Sequence, residues 1–197
     1  MRATPQAITG AMQLYFSGES FRNVHNFLRL QGVNISQVSV YKWIKKYVGL
    51  MEKYLEQIKP NVSDTWRADE LYLKVKGNMK YLFALMDDET RYWIAQEVAD
   101  SKYNHDARSL FRKGKELMGK KPKVMITDGL PAYQDANKKE YWTKRKDTPI
   151  LTGYQIFHNY IREHEGLNGR TPAEVCGIKV EGKNKWLTLI QQSSLYK

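Results

Sequence analysis

The sequence predicts a mixed α/β chain, helical at its start, built on strands through its middle and helical again at its end. Three observations carry this reading. Apolar residues recur at helical spacing through residues 5–48, behind residues suited to start helices. An alternation of period two runs through Leu71, Leu73 and Val75, with Glu70, Tyr72, Lys74 and Lys76 between them. A helical stretch then leads into Lys-Val-Met-Ile-Thr-Asp-Gly, a strand that ends on an acid.

The first helix starts at Thr4-Pro5, with the Thr4 side chain as cap and proline at the first helical position. Ile8, Met12, Tyr15 and Phe16 give it an apolar face. Ser17-Gly18 breaks the run, and Ser20 caps a second helix with Phe21, Val24, Phe27 and Leu28 on one side. Gly32 supplies a turn. Ser36 caps a third helix, with Val40, Ile44, Tyr47 and Val48 inward and Lys42, Lys45 and Lys46 outward. Two helices about a glycine-containing turn are the pattern of a helix-turn-helix. That geometry would bring Gln37, Val38, Ser39 and Lys42 to base edges and Arg22, Lys45 and Lys46 to phosphates. A plain three-helix bundle with a solvated basic face is the alternative. Pro60 to Asp64 marks a break, so residues 1–60 read as one domain.

The chain holds 32 Lys+Arg against 21 Asp+Glu, a formal net charge of +11, and this excess favours a polyanionic partner such as DNA. No apolar run is long enough to span a bilayer, and the N-terminus carries no signal-peptide pattern. Cys176 is the sole cysteine, so a disulfide framework and a multi-cysteine metal site are excluded, which suits a cytoplasmic location. His158 and His164 show no spacing that supports zinc.

In the middle of the chain, Asp69 shares the parity of Leu71, Leu73 and Val75, which places it on the inward phase of the first strand. Gly77-Asn78 turns into a second strand over 81–86, Asp87 to Thr90 turns again, and a third strand covers 92–98. Such short connections make an antiparallel meander. Residues 104–119 read as a helix ending at Gly119. The strand over 123–127 follows that crossover helix and should lie parallel to an earlier strand. Asp128 ends it. Three antiparallel strands, a helix and a parallel strand with an acid at its end follow the order of a ribonuclease H-like fold. Asp69 and Asp128 would then approach each other as a pair able to hold divalent cations. An ordinary strand-edge acid and an Asp-Gly turn are the alternatives for the two.

At these residues the chain resembles the DDE transposases of the insertion sequence six family. The matching stretches are Trp66-Arg67-Ala68-Asp69-Glu70, Tyr72 to Gly77, Met86 to Arg91, Thr127-Asp128-Gly129 with Ala132-Tyr133, Phe157 to His164, and Thr171-Pro172-Ala173-Glu174. The resemblance implies metal-dependent cleavage and transfer of DNA strands, with Asp69 and Asp128 as the first two catalytic acids and metal ligands. Mg²⁺ or Mn²⁺ is the implied cofactor. The implied partner is the terminal inverted repeats of a mobile element, and a second copy of the chain is a further candidate.

The family carries its third acid, a Glu, on a helix after a fifth strand, within Asn-Asn-x-x-Glu-Arg. Here Tyr141-Trp142-Thr143 runs through Lys144-Arg145-Lys146-Asp147 into Thr148-Pro149 without that motif. An internal deletion with its junction over 143–147 accounts for this. Glu140 lies too early to substitute, and Glu163 and Glu165 match the closing segment. The expected architecture is therefore a helix-turn-helix over 1–60, an incomplete ribonuclease H-like mixed sheet over 61–143 and its remaining helical part over 144–197. The expected function is a DDE transposase impaired in catalysis but retaining DNA binding; the alternative is a non-catalytic DNA-binding regulator or transposition inhibitor.

Overall fold

A computed structural model describes residues 3–75, 77–100, 104–127 and 149–196. They divide into two compact units. One gathers the described parts of Met1–Ile58, Thr148–Arg162 and Lys179–Lys197; the other, those of Lys59–Asp147 and Glu163–Ile178.

The first unit is helical. α1 (Pro5–Phe16), α2 (Phe21–Leu30) and α3 (Gln37–Leu55) start where the sequence places their caps. Thr4 accepts from the Ala7 N–H, Ser20 from Asn23 and Ser36 from Ser39, each satisfying a donor that the first helical turn leaves open. Val24, Leu28, Val40, Ile44, Val48 and Met51 are buried between them. Phe27 departs from the expectation: it is 44% exposed, because Val24 and Leu28 alone supply the buried stripe of α2.

The same unit contains α5 (Pro149–Ile156), which runs into a π turn at Phe157–Ile161, and α7 (Lys185–Leu195). Phe16 explains their place. Its ring meets Tyr154 edge-on at 5.1 Å and stacks on Trp186 at 5.5 Å. A Cβ on Gly153 would lie 2.2 Å from Phe16 Cζ, so only glycine lets α5 approach this closely. Polar bonds tie the ends: Trp186 Nε1 donates to Gln13 Oε1 at 3.0 Å and Asn184 Nδ2 to Thr9 Oγ1 at 3.0 Å. The described part of the segment 144–197, expected to complete the sheet domain as one piece, is thus shared between the two units. Aromatic side chains from 154 and 186 find their burial against α1.

The second unit is built on β1 (Thr65–Val75), β2 (Asn78–Asp87), β3 (Trp93–Ala99) and β4 (Val124–Ile126), in the order β3-β2-β1-β4. β1, β2 and β3 form the antiparallel meander, and β4 lies parallel to β1, as the order of a ribonuclease H-like sheet requires. α4 (Asn104–Met118) makes the crossover and buries Ala107 and Leu110. It comes so close to the sheet that a Cβ on Gly114 would fall 2.3 Å from Leu85 Cδ2 and 3.4 Å from Trp66. Gly119 ends it with φ +67°, as the sequence predicts for that glycine.

Two polar devices fix the strand ends. Asp87, fully buried, accepts from the Ser63 N–H at 2.9 Å and hydroxyl at 2.6 Å, and from both the N–H and hydroxyl of Thr90. Four donors make its burial affordable, since an unpartnered buried carboxylate would be very costly. Asp64 holds β4 against β1: its carbonyl accepts from the N–H groups of Lys123 and Val124, and its carboxylate pairs with Lys120 at 3.0 Å and Lys123 at 2.7 Å. Residues 163–178 add α6 (Pro172–Val175), started by a reciprocal Thr171–Glu174 capping box. The Asn61 N–H bonds to the Cys176 carbonyl at 3.1 Å. No helix among the described residues is long and apolar enough to cross a membrane.

Candidate active site and nucleic-acid interface

Asp69 sits in the middle of β1, opposite Ala84 of β2, which lies opposite Gln96 of β3. Its side chain is exposed. This corrects the expected parity. Trp66 and Ala68 are buried, while Leu71 on the phase of Asp69 is 55% exposed. The face that α4 covers is the one carrying Trp66 and Leu85, and the indole outweighs the smaller leucines in deciding which side turns inward. Asp69 therefore needs no buried partner. Its Oδ1 accepts the Glu70 N–H at 2.8 Å, and Oδ2 bonds to none of the described residues. Arg67, two positions earlier on the same face, is engaged with Asp88 at 2.7 Å and leaves the Asp69 charge uncancelled.

An exposed, un-neutralised carboxylate on a strand is a suitable oxygen ligand for a hard divalent cation. Among the described residues no group of three His, Cys, Asp or Glu could hold a metal. Asp128 and the proposed deletion junction lie outside the described residues. Pairing between β1 and β4 runs from Thr65–Val124 through Trp66–Met125 to Arg67–Ile126. The last pair lies two residues before Asp69 along β1 and two residues before Asp128 in the sequence.

His164 makes an isolated backbone bridge to Arg170, a structural role. Cys176 is buried, and that burial pushes its thiol up to about 11, so it is not a poised nucleophile. Three lysines of the basic stretch over residues 112–123 are engaged within the fold. Lys113 donates to the Gln96 carbonyl at 2.9 Å, and Lys120 and Lys123 hold Asp64 below the usual carboxylate range, chiefly by hydrogen bonds from Lys123 and then Lys120.

Over the first ten residues of α3 the exposed positions are 37, 38, 41, 42, 45 and 46, one continuous stripe at helical spacing. Gln37, Val38, Lys42, Lys45 and Lys46 lie on it as the sequence predicts, and Arg22 is exposed at the start of α2. Ser39 does not belong to it. It is half-buried, with its hydroxyl 3.0 Å from Ser36 Oγ and its N–H in the cap. Tyr41, 42% exposed, takes the place on the stripe that the sequence reading assigned to Ser39. The spacing of four from Gln37 was the signal that would have found it.

These features define a class. Residues 63–164 match the family model of the DDE domain in its IS240 form. Two relatives from Staphylococcus aureus, the transposase for insertion sequence-like element IS431mec of strain Mu50 and the transposase for insertion sequence element IS257 in transposon Tn4003, are each 30% identical over 123 residues, 61% of this chain and 53% of theirs. The chain belongs to the DDE transposases of the insertion sequence six family. It spans about half the length of the curated relatives it matches. Among solved structures, the HTLV-2 integrase catalytic core domain in complex with magnesium is similar at a TM-score of 0.44 and 15% identity, over 60% of this chain and 98% of that one.

Proposed function

We propose that this chain is a transposase derivative that binds DNA through α2 and α3 and is impaired in strand cleavage and transfer. The observation that carries the catalytic side is the parallel β1–β4 register. It ends at Arg67 and Ile126, each two residues before an acid of the family's motif. Asp69 and Asp128 would hold the divalent cation, Mg²⁺ or Mn²⁺, which when bound supplies charge stabilisation for the oxygens of an in-line phosphodiester displacement. Asp69 suits that role because its carboxylate is exposed and not consumed by an ion pair. The third acid has no counterpart where the family carries it, so the constellation is incomplete and cleavage is expected to fall by orders of magnitude.

The DNA-binding side rests on the exposed stripe of α3 and on Arg22, within a chain of net charge +11. A helix of this kind presents its first turns to base edges while lysines further along meet phosphates. The substrate this reading names is the terminal inverted repeats of a mobile element, met in the cytoplasm, with a second copy of the chain as the partner that bridges two ends. The second reading is a non-catalytic regulator or transposition inhibitor. What favours it is that the helical module is fully capped while the catalytic set lacks a member. Binding of the full chain to an inverted-repeat duplex, against a scrambled duplex of equal length over a salt series, tests the DNA-binding core of both. The expected result is tighter binding to the repeat and a steep fall with salt. Equal, weak binding to both duplexes would contradict it.

A further inference from the structure

The exposed stripe of α3 is chemically divided. Its first part is Gln37, Val38 and Tyr41; its second is Lys42, Lys45 and Lys46. From Val38 to Lys46 the helix rises by about 12 Å at about 1.5 Å per residue. That matches the width of the DNA major groove, about 12 Å. A valine 60% exposed in the first turn of a helix whose far end is basic is not explained by the packing of the unit, because Val40 and Ile44 already supply the buried side. Tyr41 is exposed but held. Its ring meets Phe21 edge-on at 5.8 Å, and Phe21 stacks on Tyr15 at 4.3 Å. A propped aromatic loses little freedom when it docks, so binding costs less. Lys46, with its ammonium 5.4 Å from the Tyr47 ring, is likewise partly pre-set at the basic end.

We propose that Val38 and Tyr41 are specificity-determining residues that read thymine methyl groups in the major groove, so that the preferred duplex carries adjacent A·T pairs under the first turns of α3. This rests on the reading of α3 as the DNA-contacting helix. The thymine C5-methyl is the one apolar group on the major-groove edges, and an apolar side chain is its natural contact. Gln37 beside them supplies the amide that suits adenine. The lysines add affinity without sequence preference, because phosphates are the same at every step.

The test uses the full chain. Selection from a randomised duplex pool gives the preferred site, and each of its thymines is then replaced by uracil, which removes the methyl group and nothing else. Wild type should bind the uracil duplex at least about threefold more weakly at two neighbouring positions, in line with an apolar base contact. Val38→Ala should erase the difference at one position and Tyr41→Ala at the other. Tyr41→Phe keeps the ring against Phe21 and should keep the discrimination, which separates a lost contact from a lost prop. Lys45→Ala and Lys46→Ala should weaken thymine and uracil duplexes alike. Equal binding of the thymine and uracil duplexes by wild type, or full discrimination by Val38→Ala and Tyr41→Ala, would overturn the proposal while leaving α3 as the DNA helix. If the lysine substitutions change neither affinity nor salt dependence, the reading of α3 itself falls.

Discussion

The helices proposed to face DNA and the sheet that carries Asp69 make opposite demands on the chain. The stripe on α3 is assembled from residues 37–46, within one helix, so a single capped element sets all of it. The acid site, as proposed, needs a residue from β1, one that follows β4 in sequence and a third from a helix that the proposed deletion would remove. The first kind of site survives as long as one helix folds and is propped. The second fails when any one of its segments is lost. On the proposed function, that difference is the physical reason such a chain would keep binding and lose chemistry.

The comparison can be broken most severely by removing what props the helices. A fragment of residues 1–60 lacks α5 and α7, so the Phe16 side of α1 loses Tyr154 and Trp186. It should show no cooperative thermal transition, whereas the full chain should; a cooperative melt of the fragment would mean that α1, α2 and α3 suffice alone. Phe16→Ala in the full chain should cost about 3–5 kcal/mol, the usual range for deleting a buried aromatic, read by denaturant unfolding. Gly153→Ala should cost about 1–3 kcal/mol through overpacking against Phe16. Gly114→Ala meets the flexible end of Leu85 instead of a ring, so its penalty should be smaller than that of Gly153→Ala.

Smaller effects sharpen the same contrast. Lys45→Ala and Lys46→Ala should each lower the slope of log affinity against log salt by about 1 and leave the melting temperature unchanged. On the sheet side, Asp64 is held below its ordinary value by Lys123 and Lys120. A depressed carboxyl contributes stability above its unfolded value, lost as pH falls through the folded one, so the contribution fades only below the ordinary carboxylate range. Asp64→Asn should therefore lower stability slightly at neutral pH and converge with wild type once the pH falls below the folded value of Asp64, the effect being small because the pair is solvent-exposed.

The sequence shows most of this architecture wherever the cause is local. Thr4, Ser20 and Ser36 each precede an apolar period and each becomes a cap. The strand order follows from short turns and one crossover helix. Long-range packing is not legible in the same way. Over residues 66–70 the period of β1 is correct but its inward phase is reversed, because burying Trp66 against α4 decides the side there, while farther along Leu71 and Tyr72 are both exposed. Tyr154 and Trp186 read as apolar residues of late helices, and nothing local says that their partner is Phe16. On α3, Ser39 satisfies a base-contact pattern by type, yet the Ser36 cap draws it away and Tyr41 stands on the exposed side.

Strand cleavage by the full chain, on a duplex it binds and in the presence of Mg²⁺ or Mn²⁺, tests the central claim most directly. The account predicts a bound complex with no nicked or transferred strand above the background of an Asp69→Asn control. Robust cleavage that is lost in both Asp69→Asn and Asp128→Asn would contradict it, and would mean that another acid completes the site.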